Sequence, residues 1–319
     1  DMVVSNGAIF DLFADDVYID ALDGEGTIDN GYDQAQTLVV GVANGDGSFS
    51  GLITNTLNAL HIQKRGTGTL SFSGGTIYIA GALRMWNGTV TMNGANYTST
   101  SGGTGDTLGD NAGDYARLEL VNDPIYTKSQ VLWVGYVAGS TGVVNMAGGT
   151  MTLSNGARIS NGANSIGAFY HMGGSIAGGA NEFTPGYGTA SSYGYYLNAG
   201  GALTNGGWIQ LGRYGIGVVD QSGGSIVATA SGTIIGNNGI GMFYQTGGTL
   251  GGSLPIYMVY TAGATYRGEL TIADSGLIDI ANSVIMNQAG SGTSVVNLNG
   301  GTLRVNRVYE NVSSGASYV

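Results

Sequence analysis

The chain has 319 residues, among them sixty glycines, three prolines and no cysteine, with 42% hydrophobic residues and ten basic against twenty-one acidic side chains for a net charge of −11. This excludes disulfides and thiolate metal sites, collagen, which needs glycine at every third position, and binding to nucleic acid or an anionic membrane through a basic face. No apolar stretch approaches the roughly 20 residues of a membrane-spanning helix. The hydrophobic share, with β-branched residues and tyrosines in register, is too high for a disordered glycine-rich tract.

The acid is concentrated at the start of the chain. Asp1, Asp11, Asp15, Asp16, Asp20, Asp23, Glu25, Asp29 and Asp33 all precede the first basic side chain, Lys64. Val3, Val4, Ile9, Phe10, Val17 and Ile19, set among them, predict strands. Residues 1–35 therefore read as an acidic N-terminal strand or cap segment, and 36–319 as the main body. Clustered carboxylates suit calcium, but a plain charged cap accounts for this segment.

From about 45 to 98 a repeat emerges, with Lys64, Arg65, Gly66, Thr67, Gly68, Thr69, Leu70, Ser71, Phe72, Ser73 and Gly74 followed by Asn93, Gly94, Ala95, Asn96, Tyr97 and Thr98. This stretch resembles the autotransporter-associated β-strand repeat of bacterial surface and secreted proteins. The resemblance covers about 60 residues and implies a right-handed parallel β-helix displayed outside the cell, with a bacterial secreted or cell-surface location.

Residues 99 to 132 break the rhythm and are expected to form a long loop or a widened rung. Gly102, Gly103, Gly105, Asp106, Asp110 and Asp114 are similar to the glycine-aspartate nonapeptides that bind calcium between β-roll turns. The first aspartate stands one place early and there is no second intact nonapeptide. Asp106, Asp110 and Asp114 are thus weak calcium candidates, a solvated polar loop is the better reading, and no metal or cofactor is expected.

Between Gly142 and Val305 one phrase recurs seven times: a glycine, a short apolar or aromatic run, a Gly-Gly-type corner, usually Ser or Thr, then an aliphatic residue. Copies start at Gly142, Gly167, Gly194, Gly217, Gly241, Gly268 and Gly292, with a mean step of about 25 residues, a solenoid period. Met151, Ile176, Leu203, Ile226, Leu250, Ile278 and Leu303 occupy one equivalent position, and Val144, Phe169, Tyr196, Val219, Phe243 and Leu270 another. Both are predicted to be inward-facing columns of stacked strands. At about 25 residues per rung, the chain makes about a dozen rungs of an all-β solenoid on the order of 60 Å long.

Few residues in this body carry chemistry. His61 and His171 fall in different rungs, and His171 shares its repeat position with Asn198, Gln221 and Gln245, which predicts a polar ladder. The irregular stretch Gly178 to Tyr193 reads as a corner loop. The acids Glu182, Asp220, Glu269, Asp274 and Asp279 and the bases Arg158, Arg213, Arg267 and Arg304 do not share one repeat column, so the carboxylate pair of a glycosidase is not expected and neither is enzyme activity. Tyr187, Tyr193 and Tyr195 suit either corner packing or stacking on sugars.

The repeat runs on to the final residue without a charged cap, and Arg304 and Arg307 stand there opposite the acids of the first rung. The expectation is an extracellular structural protein, a subunit of a surface fibre or matrix. It would assemble head-to-tail through Asp11, Asp15, Asp16 and Asp20 at one end and Arg304 and Arg307 at the other. The alternative is an adhesin passenger whose lateral loops near 99–132 and 178–193 contact a glycan or a cell.

Overall fold

The computed structural model describes residues 1–13, 15–103, 105–289, 291–311 and 316–319. Among the described residues forty strands, all paired in parallel, form three sheets that run the length of the molecule. Sheet A has fourteen strands, from Met2–Val4 to Ala316–Tyr318; sheet B has thirteen, from Ile9–Asp11 to Thr302–Arg304; sheet C has thirteen, from Val17–Ile19 to Arg307–Glu310. Every third strand joins the same sheet, so each turn of chain lays one strand on each face of a three-sided prism. This is a parallel β-solenoid of thirteen turns and the start of a fourteenth, about 60 Å long at the ~4.8 Å spacing of paired strands.

The repeat phrase maps onto the turn. Its apolar run is the sheet A strand, its Gly-Gly pair turns the A-to-B corner, and the aliphatic residue after the corner lies in sheet B. The two predicted columns are ladders of direct partners. Met151 pairs with Ile176, then Leu203, Ile226, Leu250, Ile278 and Leu303. Val144 is followed by Phe169, Tyr196, Val219, Phe243, Leu270 and Val296. All are buried except Leu303, which is partly covered. They belong to one continuous core from Val4 to Val296, each large side chain contributing about 1.5–3 kcal/mol of burial.

The leading glycine of the phrase has a steric origin. A Cβ at Gly217 would strike the backbone of Gly212 and Pro185, because the C-to-A corner folds back against the sheet A strand. At the A-to-B corner, Gly224 has φ +63°, a conformation that side chains with a Cβ resist.

Two stretches expected to be loops contain strands. Residues 99–132 include Asp106–Leu108 in sheet C, Tyr115–Val121 in sheet A and Ile125–Lys128 in sheet B. The rung is widened only between these strands, because the alternation in Tyr115–Val121 keeps Ala116, Leu118 and Leu120 inward. Within 178–193, Phe183–Pro185 is likewise a sheet C strand, and its Phe183 is buried.

Candidate functional site

The polar side chains buried inside the solenoid include three groups of chemical interest. The predicted ladder is the first: His171, Asn198, Gln221 and Gln245 are consecutive partners at the inner end of sheet A, all fully buried. Their amides fasten the A-to-B corners. Asn198 accepts from the Gly201 amide at 3.0 Å, Gln221 Nε2 donates to the Thr249 carbonyl at 3.1 Å, and Gln245 Nε2 donates to Leu277 O at 2.9 Å and Gln221 Oε1 at 3.2 Å. His171 Nδ1 meets the Tyr196 hydroxyl at 2.9 Å. Burial lowers the His171 pKa to about 4, so the ring is neutral near pH 7. A Cβ on Gly201 would fall inside that ring.

The second is Lys64, buried at the end of a sheet C strand, with its ammonium on the Arg65 and Gly66 carbonyls at 2.5 and 3.0 Å. Desolvation lowers its pKa to about 8, against the pull of Asp46 and Asp20.

The third is a closed network around Asp106. Lys128 Nζ lies 3.1 Å from Asp106 Oδ1, and both side chains are fully buried. The Leu83 amide donates to Oδ1 at 2.8 Å, and the stacked Tyr97 and Tyr126 hydroxyls donate to Oδ2 at 2.8 and 2.5 Å. Lys128 also donates to Ser99 Oγ at 2.7 Å. Burial, and next the Asp106 charge, hold both phenols well above their ordinary pKa.

The calcium candidates are therefore not brought together. Asp106 points into the core and is neutralised by Lys128. Asp114 accepts from Asn87 Nδ2 and from the Asn111 amide, both at 2.8 Å, while Asp110 lies on the outer side of sheet C. Among the described residues no group of three or more His, Asp or Glu converges as metal ligands would.

The acids of the first turn have a structural use that the sequence reading did not foresee. Asp11 accepts from the Gly31 amide at 2.8 Å, Asp16 from Thr37 at 2.7 Å, and Asp20 from Ala43 and Gly45 at 2.6 and 2.8 Å. Each closes a backbone N–H of the following turn, and these bonds lower the Asp20 pKa. Asp15 is exposed. At the other end Arg304 pairs with Asp279 of the preceding turn at 2.8 Å, and the Arg307 guanidinium lies 4.4 Å from the Tyr309 ring centre.

The outer side of sheet C differs from the other two. Its outward column passes through Gln63, Arg84, Thr107, Trp133, Arg158 and Thr184, and the adjoining corner adds Arg65, Trp86, Tyr136, Tyr187, Arg213 and Tyr214. Guanidinium groups and rings alternate along it. Arg65 lies 4.1 Å from Trp86, Arg158 lies 4.7 Å from Trp133 and 4.3 Å from Tyr187, and Arg213 lies 5.0 Å from Tyr187. Glu182 binds Arg158 and Arg213 from the side. Of the three tyrosines singled out in the sequence, Tyr187 is part of this stripe, whereas Tyr193 and Tyr195 lie on sheet A, Tyr195 at 5.8 Å from Tyr170.

The stripe deepens into a cleft of about 480 Å³ lined by Arg84, Trp86, Thr107, Asp110, Trp133 and Tyr136, with Gly103 and Gly105. Burial raises the Asp110 pKa, opposed by the Thr107 hydroxyl, the Arg84 charge and the Trp86 indole. Compared with known proteins, the chain matches no family model, and no curated protein or solved structure is detectably similar to it. The fold defines its class as a three-sheet parallel β-solenoid.

Proposed function

We propose that the chain is a structural rod of an extracellular bacterial fibre or matrix and acts without catalysis. The observation that carries this reading is the unbroken course of the three sheets around one core through thirteen turns. A solenoid of this kind is stiff along its axis because every turn is bonded to the next on all three sides. On its outer faces Glu182 is ion-paired with Arg158 and Arg213, and Asp279 with Arg304, each across adjacent turns, an arrangement suited to holding turns together, while Glu119 and Glu269 pair with arginines of their own strands. The extracellular location rests on the likeness of residues 64–98 to the autotransporter-associated repeat.

The strands of the end turns are paired on one side only, with Met2, Phe10 and Val17 partly covered at one end and Leu303, Val305 and Val308 at the other. Such an edge accepts a further strand, whether from the same chain or from another copy. Head-to-tail assembly would then rest on backbone pairing and apolar contact more than on charge, since Asp11, Asp16, Asp20 and Arg304 already have partners. Electron microscopy at low and high salt tests this. Rods about 60 Å long per subunit, joined end to end at both salts, support the proposal. Isolated rods at both salts refute the assembly, and compact round particles refute the rod.

A second reading, lateral binding of a glycan, is favoured by the aromatic and arginine stripe on sheet C.

A further inference from the structure

We infer that the sheet C cleft is a binding subsite for an acidic sugar, a uronic acid residue of an extended polysaccharide lying along the solenoid axis. The inference deepens the second reading and is independent of end-to-end assembly. Sugars bind through the apolar C–H face of the ring, through hydroxyls, and in uronates through a carboxylate, and the cleft offers a complement to each.

Trp133 and Tyr136, 5.2 Å apart, and Trp86 form its aromatic walls. Trp86 and Trp133 stand two turns apart, about 10 Å along the axis at the ~4.8 Å strand spacing, comparable to a disaccharide repeat. The aromatic track continues beyond the cleft through Tyr187, 5.7 Å from Trp133, and Tyr214, 6.4 Å from Tyr187.

Charge selects the class of sugar. The molecule carries net charge −11, and Arg117, Arg158, Arg213, Arg267 and Arg304 all have carboxylate partners. Among the described residues no carboxylate comes within 4.0 Å of Arg84 or Arg65, which flank the cleft on the side of Trp86. A ligand carboxylate placed on Arg84 would supply the missing partner, and a guanidinium binds such a group through two parallel hydrogen bonds.

The Thr107 hydroxyl and the Trp86 indole are turned toward Asp110 and hold its carboxyl in the cleft wall. Asp110 is the one carboxyl in the lining, placed to accept from a sugar hydroxyl. The cleft volume is in the range of small-ligand sites.

The test is a titration of the whole chain with oligogalacturonate and oligoalginate, and with neutral cello- and malto-oligosaccharides of equal length, followed by tryptophan fluorescence and calorimetry. The expected result is saturable binding of an acidic oligosaccharide that weakens with salt. Arg84→Gln should lower the affinity at least tenfold, Trp133→Ala should abolish binding, and Trp208→Phe, remote from the cleft, should change nothing. Unchanged circular dichroism shows that each variant is folded, and Trp133→Phe, which keeps a stacking ring, retains partial binding even if Trp133→Ala fails to fold. No binding of any acidic oligosaccharide by the folded chain overturns the inference. Equal affinity for neutral oligosaccharides, with Arg84→Gln silent, overturns the acidic class while leaving a glycan track. Binding abolished by Trp208→Phe and not by Trp133→Ala places the site elsewhere.

Discussion

Replacing Lys128 by methionine probes the most exposed weakness of the core. Lys128 and Asp106 lie 3.1 Å apart with no solvent access, so removing the ammonium leaves a buried carboxylate supported only by the Leu83 amide and two phenols. Breaking a buried pair in this way costs on the order of 3–5 kcal/mol. The solenoid also supplies its own repair. Asp106 is the partner of Leu132 and lies in the column of Leu83, and Lys128 lies between Ser99 and Leu153, so each position has an apolar neighbour in its own column. The quadruple variant Asp106→Leu, Lys128→Leu, Tyr97→Phe and Tyr126→Phe removes both charges and both phenols at once, leaving the Leu83 amide, and the Ser99 hydroxyl on the Gly81 carbonyl, and it should recover most of the loss of the single variant. Urea unfolding measures the global values, and hydrogen exchange in the strands Asn96–Ser99 and Ile125–Lys128 the local ones, since solenoids open in parts. If Lys128→Met costs less than about 1 kcal/mol, or the quadruple variant is as damaged as the single one, the pair does not have the energetic role assigned to it.

Gly201→Ala should cost about 1–3 kcal/mol by overpacking the His171 ring, and thermal unfolding of the double variant with His171→Ala should show part of that loss restored. The His171 pKa is about 4 in the fold against an ordinary value of 6.5, so between those pH values the unfolded chain binds more protons. Stability should therefore rise with pH across the window, by up to about 3 kcal/mol in all, and urea midpoints of His171→Gln, which repeats Gln221, should lack that part of the slope. Ile176→Ala, in the middle of the sheet B column, should cost about 2–5 kcal/mol in a urea titration. Asp20→Ala should speed hydrogen exchange at Ala43 and Gly45, whose amides it accepts, more than at amides in the sheet strands; uniform exchange rates would contradict the capping role.

The columns of the solenoid were legible because each is one residue class repeated at one spacing, and the ladder from His171 to Gln245 was legible for the same reason. The Asp106 network was not, because its members come from different sheets and meet only when the turn closes. A signal was nevertheless present. Aligned as partners, Leu83-Arg84-Met85, Asp106-Thr107-Leu108, Leu132-Trp133-Val134 and Ala157-Arg158-Ile159 show an acid in an apolar column and a run of tryptophan and arginine in the outward one. Reading 99–132 as a long loop or a widened rung, with no strands assigned inside it, hid that alignment. The first-turn carboxylates were legible as a cluster, but their amide partners lie 20 to 25 residues onward, a relation that exists only once the pitch of the turn is known.

Turn length in this molecule varies while the strands stay in step. Leu70 pairs with Val90, twenty residues on, and Val90 pairs with Leu118, twenty-eight residues on. The surplus is confined to corners, so the cross-section of the prism tolerates insertions that leave the axial pitch untouched. The length of the rod is therefore set in whole turns, each adding about 4.8 Å. A gene duplication of one repeat would lengthen the molecule by one fixed step without redesigning its interior, and separation along the axis between any two surface features becomes a count of repeats.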